Sequence, residues 1–291
     1  MLRPTTDRAA SPSASRWLVL PAGVWYFFFF VIPLSFAFIF SFGHRGAYGG
    51  IELGFSFDQY VRLAQPIYSK TFLTTLAMAS AGTLGCLILG YPLAYFLATR
   101  VHRHKLLMLL LVIIPFWTSF LIRTYGITIL INDRGLLNTL LMNLGWVSEP
   151  VRLLFTPWGI LLGLVYNYLP LMVFPLYVSL ERLDKTLLEA SKDLGAGRLA
   201  TFRNITLPLS LPGVIAGLML VFIPLTGEYV VPQILGGGKI LFMGGLITSQ
   251  FVSTRDWAFG SAAAVSLIVL LLLVITVYMR RLGRRAEDPF A

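Results

Sequence analysis

Residues 187–213 read LLEASKDLGAGRLATFRNITLPLSLPG. The stretch holds Glu189, Lys192, Asp193, Arg198 and Arg203, is punctuated by Gly195 and Gly197, and closes on two Leu-Pro pairs. Its surroundings are oily. The 291-residue chain is 57% hydrophobic and 12% charged, with a mean hydropathy of +0.78. Soluble domains carry about 25% charged residues, so this chain is expected in a bilayer, and the polar stretch separates two long apolar runs.

Six runs are long enough to cross a hydrocarbon core, which takes about 20 apolar residues. They fall at 17–42, 71–99, 106–131, 156–180, 209–235 and 259–282, an all-α polytopic architecture. Pro170, Pro175, Pro212, Pro224 and Pro232 interrupt the fourth and fifth, as prolines do where a membrane helix kinks beside a cavity. Lys and Arg number 15 in the segments 1–16, 100–105, 181–208 and 280–291, against 7 in the alternate loops, and Arg123 stays in the third run. The excess places both termini and the opening stretch in the cytoplasm.

Residues 1–16 read as a disordered cytoplasmic leader, 17–283 as the membrane domain with a polar loop at 181–208, and 284–291 as a cytoplasmic tail. The first apolar run exceeds the core of a secretory signal and lacks a small-residue cleavage site, so it reads as a retained span. A net charge of +10 scattered over short loops follows the positive-inside pattern, not a nucleic-acid groove. Cys86 is a lone cysteine in an apolar run, suited to packing. No metal-ligand cluster is visible, and His102 and His104 lie in a basic loop.

Within the opening stretch, Leu183, Leu187, Ala190 and Leu194 recur at helical spacing and give an amphipathic helix over about 184–194. Gly195 and Gly197 end it where the backbone must turn, and a second short helix leads through Phe202 and Ile205 to Pro208. Such a unit either lies on lipid headgroups or docks in a groove on a partner. A second amphipathic segment at Leu136–Leu144 packs on the spans or lies at the interface.

Glu189-Ala190-Ser191, then Gly195, Ile205 and Leu207-Pro208 at fixed intervals, resemble the EAA motif of ABC importer permeases, with Ser191 in place of the second alanine. GYPLAYFLATR (90–100), IIPFWTSFLIRTYG (113–126), residues 155–196 and TGEYVVPQILGGG (226–238) extend the similarity to the spermidine/putrescine-type (PotB/PotH-like) permeases. The resemblance implies a type I ABC importer permease (MetI-like) fold in a bacterial inner membrane. It implies a cytosolic ATPase dimer that binds the ATP, a second related permease, and an extracytoplasmic substrate-binding protein. Glu189, Ala190, Ser191, Asp193, Leu194 and Gly195 become the ATPase-coupling set, without chemistry of their own. No GxxxxGK[ST] phosphate loop occurs, so ATP hydrolysis is expected elsewhere.

For the substrate pathway, ionisable and amide groups inside spans are the default candidates. Glu228 beside Tyr229 suits an ammonium, through its charge and a cation–π contact, with an interfacial or helix-pairing carboxylate as the alternative. Trp117, Tyr166 and Asn167 complete the set, each with an ordinary packing role as the alternative, and Asp256 near the outer face meets the binding protein or is solvated. The cargo implied by resemblance is a polyamine, with other small amines, opines or phosphonates as relatives' cargoes. A secondary transporter or channel is the rival class, and it needs no coupling loop.

Overall fold

The computed structural model describes residues 20–101 and 103–287. The expected N-terminal leader, His102 and the last residues of the tail lie outside them. Helix α1 spans Leu20–Phe40 and includes a π-helical turn at Phe27–Val31. A two-residue hairpin, β1 (His44–Arg45) with β2 (Ile51–Glu52), leads into α2 (Asp58–Leu63) and the 34-residue α3 (Pro66–Thr99). Next come α4 (Lys105–Trp117), α5 (Phe120–Ile131), α6 (Leu136–Asn143) and α7 (Pro157–Glu181). After the polar loop, with α8 (Lys185–Asp193) and α9 (Arg198–Thr201), the chain runs through α10 (Leu207–Thr226), α11 (Val230–Leu235), α12 (Met243–Val252) and α13 (Trp257–Glu287).

The core is built on α3, α7 and α10, which pack along one another. Lipid offers no hydrophobic drive between helices, so close backbone approach through small residues does the work. On α3 the stripe Gly82, Cys86, Gly90 is buried against α7, and the Cys86 thiol donates to the Val165 carbonyl at 3.6 Å. On α10 the pair Gly213 and Gly217 meets α7: a Cβ at Gly213 would overlap Ser179 and lie 2.6 Å from the Pro175 carbonyl, and one at Gly217 would lie 2.7 Å from the Met172 sulfur. Both glycine pairs are thus packing devices, legible in sequence as GVIAG and as small residues four apart.

Four of the expected spans are single helices, but two are not. The third, taken as 106–131, breaks at Thr118–Ser119, where Lys105–Trp117 meets the stretch Phe120–Asn143 at 94°. Pro115 withholds an N–H inside the last turn of α4, Thr118 turns extended (ψ 156°), and its N–H and hydroxyl bond the Pro115 carbonyl instead. The fifth, taken as 209–235, ends at Thr226 and resumes at Val230. At its other end it starts earlier than expected, because α9 runs through a π turn at Phe202–Thr206 into α10 without interruption. Pro208 supplies no N–H to the carbonyl four residues back, and the wider turn directly before Leu207 accommodates it. The second short helix of the loop is therefore the first part of a 29-residue helix, Arg198–Thr226.

The two ends of the bundle differ. At one, the hairpin is fastened to the turn before α13: Gly50 N–H donates to the Arg255 carbonyl at 2.8 Å, Arg45 to the Thr254 carbonyl, and Arg62 pairs with Asp256 at 2.7 Å. Asp256 also accepts from Phe259 N–H as the cap of α13 and is fully buried, so it is a fastener rather than a solvated group. The Arg62 guanidinium stacks over Phe259 at 4.1 Å. The other end carries the polar loop and the Lys105–Glu181 ion pair joining α4 to α7. In α6, Leu137 turns to the core while Leu136, Leu140 and Leu144 stay exposed.

Candidate functional site

In the polar loop, α8 begins at Asp184, whose carboxylate accepts the Thr186 N–H at 2.9 Å. That bond, with the Thr186 hydroxyl, holds the Asp184 carboxyl below the usual carboxylate range. The helix ends in a Schellman arrangement: Gly195 N–H bonds the Lys192 carbonyl, Ala196 N–H the Ser191 carbonyl, and Gly195 has φ +79°. Only a residue without Cβ enters that conformation freely. The expected turn glycine is thus Gly195, whereas Gly197 has φ −69° and precedes α9.

The six residues of the expected coupling set divide. Glu189, Ala190, Asp193, Leu194 and Gly195 are exposed, Leu194 at 88%, and Leu187 and Leu199 add apolar surface beside them. Ser191 is 6% exposed and its hydroxyl lies 2.8 Å from that of Thr201. It clasps α8 to α9 rather than facing outward, which is where an alanine or a serine both fit. Behind this pair Phe202 meets Tyr91 edge-on at 5.6 Å, and Tyr91 shares a 2.8 Å hydrogen bond with Ser210. The turn that follows the helix pair is thus packed directly on α3 and α10, through contacts that sequence spacing does not reveal.

The second cluster forms where both broken spans meet α7. Between α10 and α11, Glu228 is 7% exposed, and one carboxylate oxygen accepts the N–H groups of Tyr229, Val230 and Val231 at 3.1, 2.8 and 3.3 Å. The other accepts the Tyr168 hydroxyl. These bonds satisfy the first turn of α11, whose dipole also favours the negative charge. Asn167 is buried as well: its amide donates to the Gly163 carbonyl at 3.0 Å and to Thr124 at 3.4 Å.

Trp117, at the break between α4 and α5, is 82% exposed, and Tyr166 and Tyr229 are about half exposed. The five expected pathway residues thus separate into three exposed aromatics and two buried polar residues, Glu228 and Asn167. Sequence reasoning noted Arg123 without a role. It is partly exposed on α5, stacks over Phe116 and Phe120 at 5.3 and 5.7 Å, and reaches the Asn167 carbonyl at 3.5 Å. Tyr168, whose ring meets Phe120 at 6.1 Å, joins Arg123 and Glu228 into one neighbourhood. The signal was available as aromatics three and seven residues before Arg123.

Comparison with known proteins places this geometry. The family model "Binding-protein-dependent transport system inner membrane component" matches residues 1–288. The chain is 47% identical over 230 residues to the spermidine/putrescine transport system permease protein PotB of Escherichia coli strain K12, covering 79% of this chain and 84% of that protein. It is 40% identical over 267 residues to PotB of Haemophilus influenzae, covering 90% and 93%. A crystal structure of a bacterial alginate ABC transporter, in complex with an alginate pentasaccharide-bound periplasmic protein, superposes with a TM-score of 0.74 at 18% identity, over 94% of this chain and 96% of that one.

Proposed function

This chain belongs to the binding-protein-dependent transport system inner membrane components, and on that premise we propose that it forms half of a pore for a polyamine of the spermidine/putrescine class. It is a multi-pass inner-membrane permease subunit of an ABC importer, and ATP hydrolysis belongs to a separate subunit. The observation that carries the cargo is the identity of 40% to 47% with spermidine/putrescine permeases across most of the chain.

A second, related permease completes the pore, and an ATPase dimer seats the helix pair Lys185–Thr201. Exposed Glu189, Asp193, Ala190 and Leu194 at a rigid Gly195 turn support that reading, since they leave charge and apolar surface free for a groove. Ser191 serves the set from inside. The loop then faces the cytoplasm with both termini, as the distribution of Lys and Arg supports. The fastened hairpin faces the substrate-binding protein. Cargo passes the aromatic faces of Trp117, Tyr166 and Tyr229, while Glu228 and Asn167 fix the helices that carry them.

The test is ATP-driven uptake by the reconstituted importer with labelled spermidine and putrescine, competed by other amines and phosphonates. Polyamine uptake that Glu189→Lys abolishes, with the permease still assembled and substrate binding to the binding protein unchanged, is the expected result. Uptake of a different cargo alone removes the polyamine reading, and full uptake by Glu189→Lys removes the coupling assignment.

A further inference from the structure

Among the described residues, only Phe155 and Arg255 are non-glycine residues with a positive φ. Arg255 lies in the turn to which the hairpin is fastened. Phe155, at φ +62°, stands two residues before α7, at the end of that helix away from the polar loop. A bulky side chain in this conformation crowds its own backbone and persists only where neighbours impose it. The neighbours here belong to α11 and the residues after it. The Phe155 N–H donates to the carbonyl of Leu235, the last residue of α11, at 2.8 Å. Its ring covers Gly237, where a Cβ would lie 2.5 Å from the Phe155 Cδ1, and the Lys239 ammonium lies over the same ring at 5.6 Å.

Helix α11 has six residues and irregular backbone on each side. Before it stands the break at Gly227–Tyr229; after it come Gly236–Gly238, with φ +58° at Gly237 and +72° at Gly238. Glu228 binds its first turn, and Phe155 binds its last carbonyl. Between the two ends the contacts are apolar. Leu235 and Val231 fit against Gly163 of α7, where a Cβ would lie 2.2 and 3.0 Å from them, and among the described residues no side chain of α11 makes a hydrogen bond. Apolar contact has no preferred direction, so the polar bonds at the two ends fix where α11 sits.

We propose that Phe155 is a strained latch on the far end of α11, closed in this structure and released as α11 pivots about Glu228 in the transport cycle. The inference rests on the chain's place in an importer, whose permease changes shape to pass cargo, and is independent of which cargo that is. Closed, the latch gains one backbone hydrogen bond and one ring contact, offset by the strain at residue 155. Open, residue 155 relaxes to a negative φ, and its N–H and the Leu235 carbonyl are hydrated at the bundle end. Opposed terms of this kind keep the two states close in free energy, as a switch requires. The glycines after α11 absorb the change in backbone direction.

The whole importer, with its ATPase, second permease and binding protein, is reconstituted in liposomes, and amide hydrogen exchange is followed residue by residue at rest and after vanadate trapping. The Phe155 amide is expected to exchange roughly tenfold faster or more in one state than in the other, while the Val230 amide, bonded to Glu228 at the pivot, keeps its rate. Equal protection of Phe155 in both states overturns the latch, and a parallel change at Val230 overturns the pivot. Phe155→Cys with Gly237→Cys, in a Cys86→Ala background, closes the latch covalently. A Cβ at Gly237 would lie 3.1 Å from the Phe155 Cγ, the place a cysteine sulfur takes, which is within disulfide reach. Oxidation is expected to cut ATP-driven uptake by about tenfold or more, and reduction of the same sample to restore it. Full uptake with the disulfide formed overturns the proposal. Inactivity that reduction does not relieve assigns the two residues to packing and also overturns it. If the double variant does not assemble, the exchange measurement on the unmodified importer decides. ATP-driven uptake by the wild type is measured in the same liposomes; its absence counts against the importer reading itself.

Discussion

The helix pair Lys185–Thr201 turns its carboxylates and leucines outward, whereas the break at Gly227–Tyr229 folds its carboxylate inward. Glu189 makes no hydrogen bond from its side chain to another described residue, so its acceptors are free for another molecule. Glu228 has spent its acceptors on the first turn of α11 and on Tyr168. A carboxylate in an apolar run invites a ligand-binding reading, but a helix restarting inside a membrane needs acceptors for its own N–H groups first. Recognition sites therefore keep polar groups unsatisfied by their own chain, and architectural sites exhaust them.

The strongest way to break this contrast is to distort the outward-facing unit without touching its charges. Gly195→Val forces a β-branched residue to φ +79°, which costs about 1–2 kcal/mol or more locally and undoes the Schellman turn. We expect uptake to fall by two orders of magnitude or more while the thermal midpoint of the membrane bundle stays within a few degrees. A large drop in that midpoint together with uptake would show that the loop is part of the core, and the contrast would fail.

The inward-facing unit is expected to behave in the opposite order. Glu228→Ala strands the Tyr168 hydroxyl and the first N–H groups of α11 in a buried place, at about 2–4 kcal/mol. Glu228→Gln keeps an oxygen for the N–H groups and an amide for the phenol, and is expected to lose about 1 kcal/mol. Thermal unfolding of the purified complex should rank wild type, Gln, then Ala, with uptake following stability. If Gln preserves stability but uptake collapses, the negative charge itself acts on cargo, and Glu228 belongs with the exposed aromatics.

Ser191→Ala separates the two units more finely. The change restores alanine at the one departure from the expected motif and removes a hydrogen bond to Thr201 worth about 0.5–1.5 kcal/mol. Uptake is expected to remain within twofold of wild type, with faster hydrogen exchange in α9 as the visible effect. Loss of uptake would mean that this serine faces the ATPase after all.

How much was legible followed the same division. The loop could be read because fixed spacing and amphipathic period concern side chains that point outward, and their pattern is local. The span count could be read from hydropathy. The breaks at Thr118 and Gly227 could not be placed, although Pro115 and Pro224 stand just before them, because a proline inside a membrane helix either kinks it or ends it according to what the neighbours satisfy. Pro170 and Pro175 lie inside an unbroken α7, whereas Pro115 and Pro224 precede breaks. The destination of the Glu228 oxygens depended on one of those breaks, and so did the exposure of Trp117. Ser191 turned inward because α9 closes over α8, a tertiary contact without a sequence period.

The smallest expected effect concerns the ion pair at the loop end. Lys105 and Glu181 join the start of α4 to the end of α7, and both side chains are substantially exposed. The Lys105 hydrogen bond, helped by the Tyr177 hydroxyl, holds the Glu181 carboxyl below its usual range. A folded-state value below the unfolded one, about 4.3 for a glutamate, means that stabilisation is complete above the ordinary carboxylate range and disappears as pH falls through the depressed folded value. Screening limits the pair to at most about 0.5 kcal/mol. The difference in thermal midpoint between wild type and Glu181→Gln is therefore expected to be small at pH 7 in low salt, to shrink in high salt, and to vanish once acidification has passed the depressed value of the Glu181 carboxyl. A difference that persists in acid and salt would place the value of Glu181 in packing against α4. The loop end would then resemble the Glu228 break, with its polar groups serving the bundle, and the division between outward and inward carboxylates would lose one of its supports.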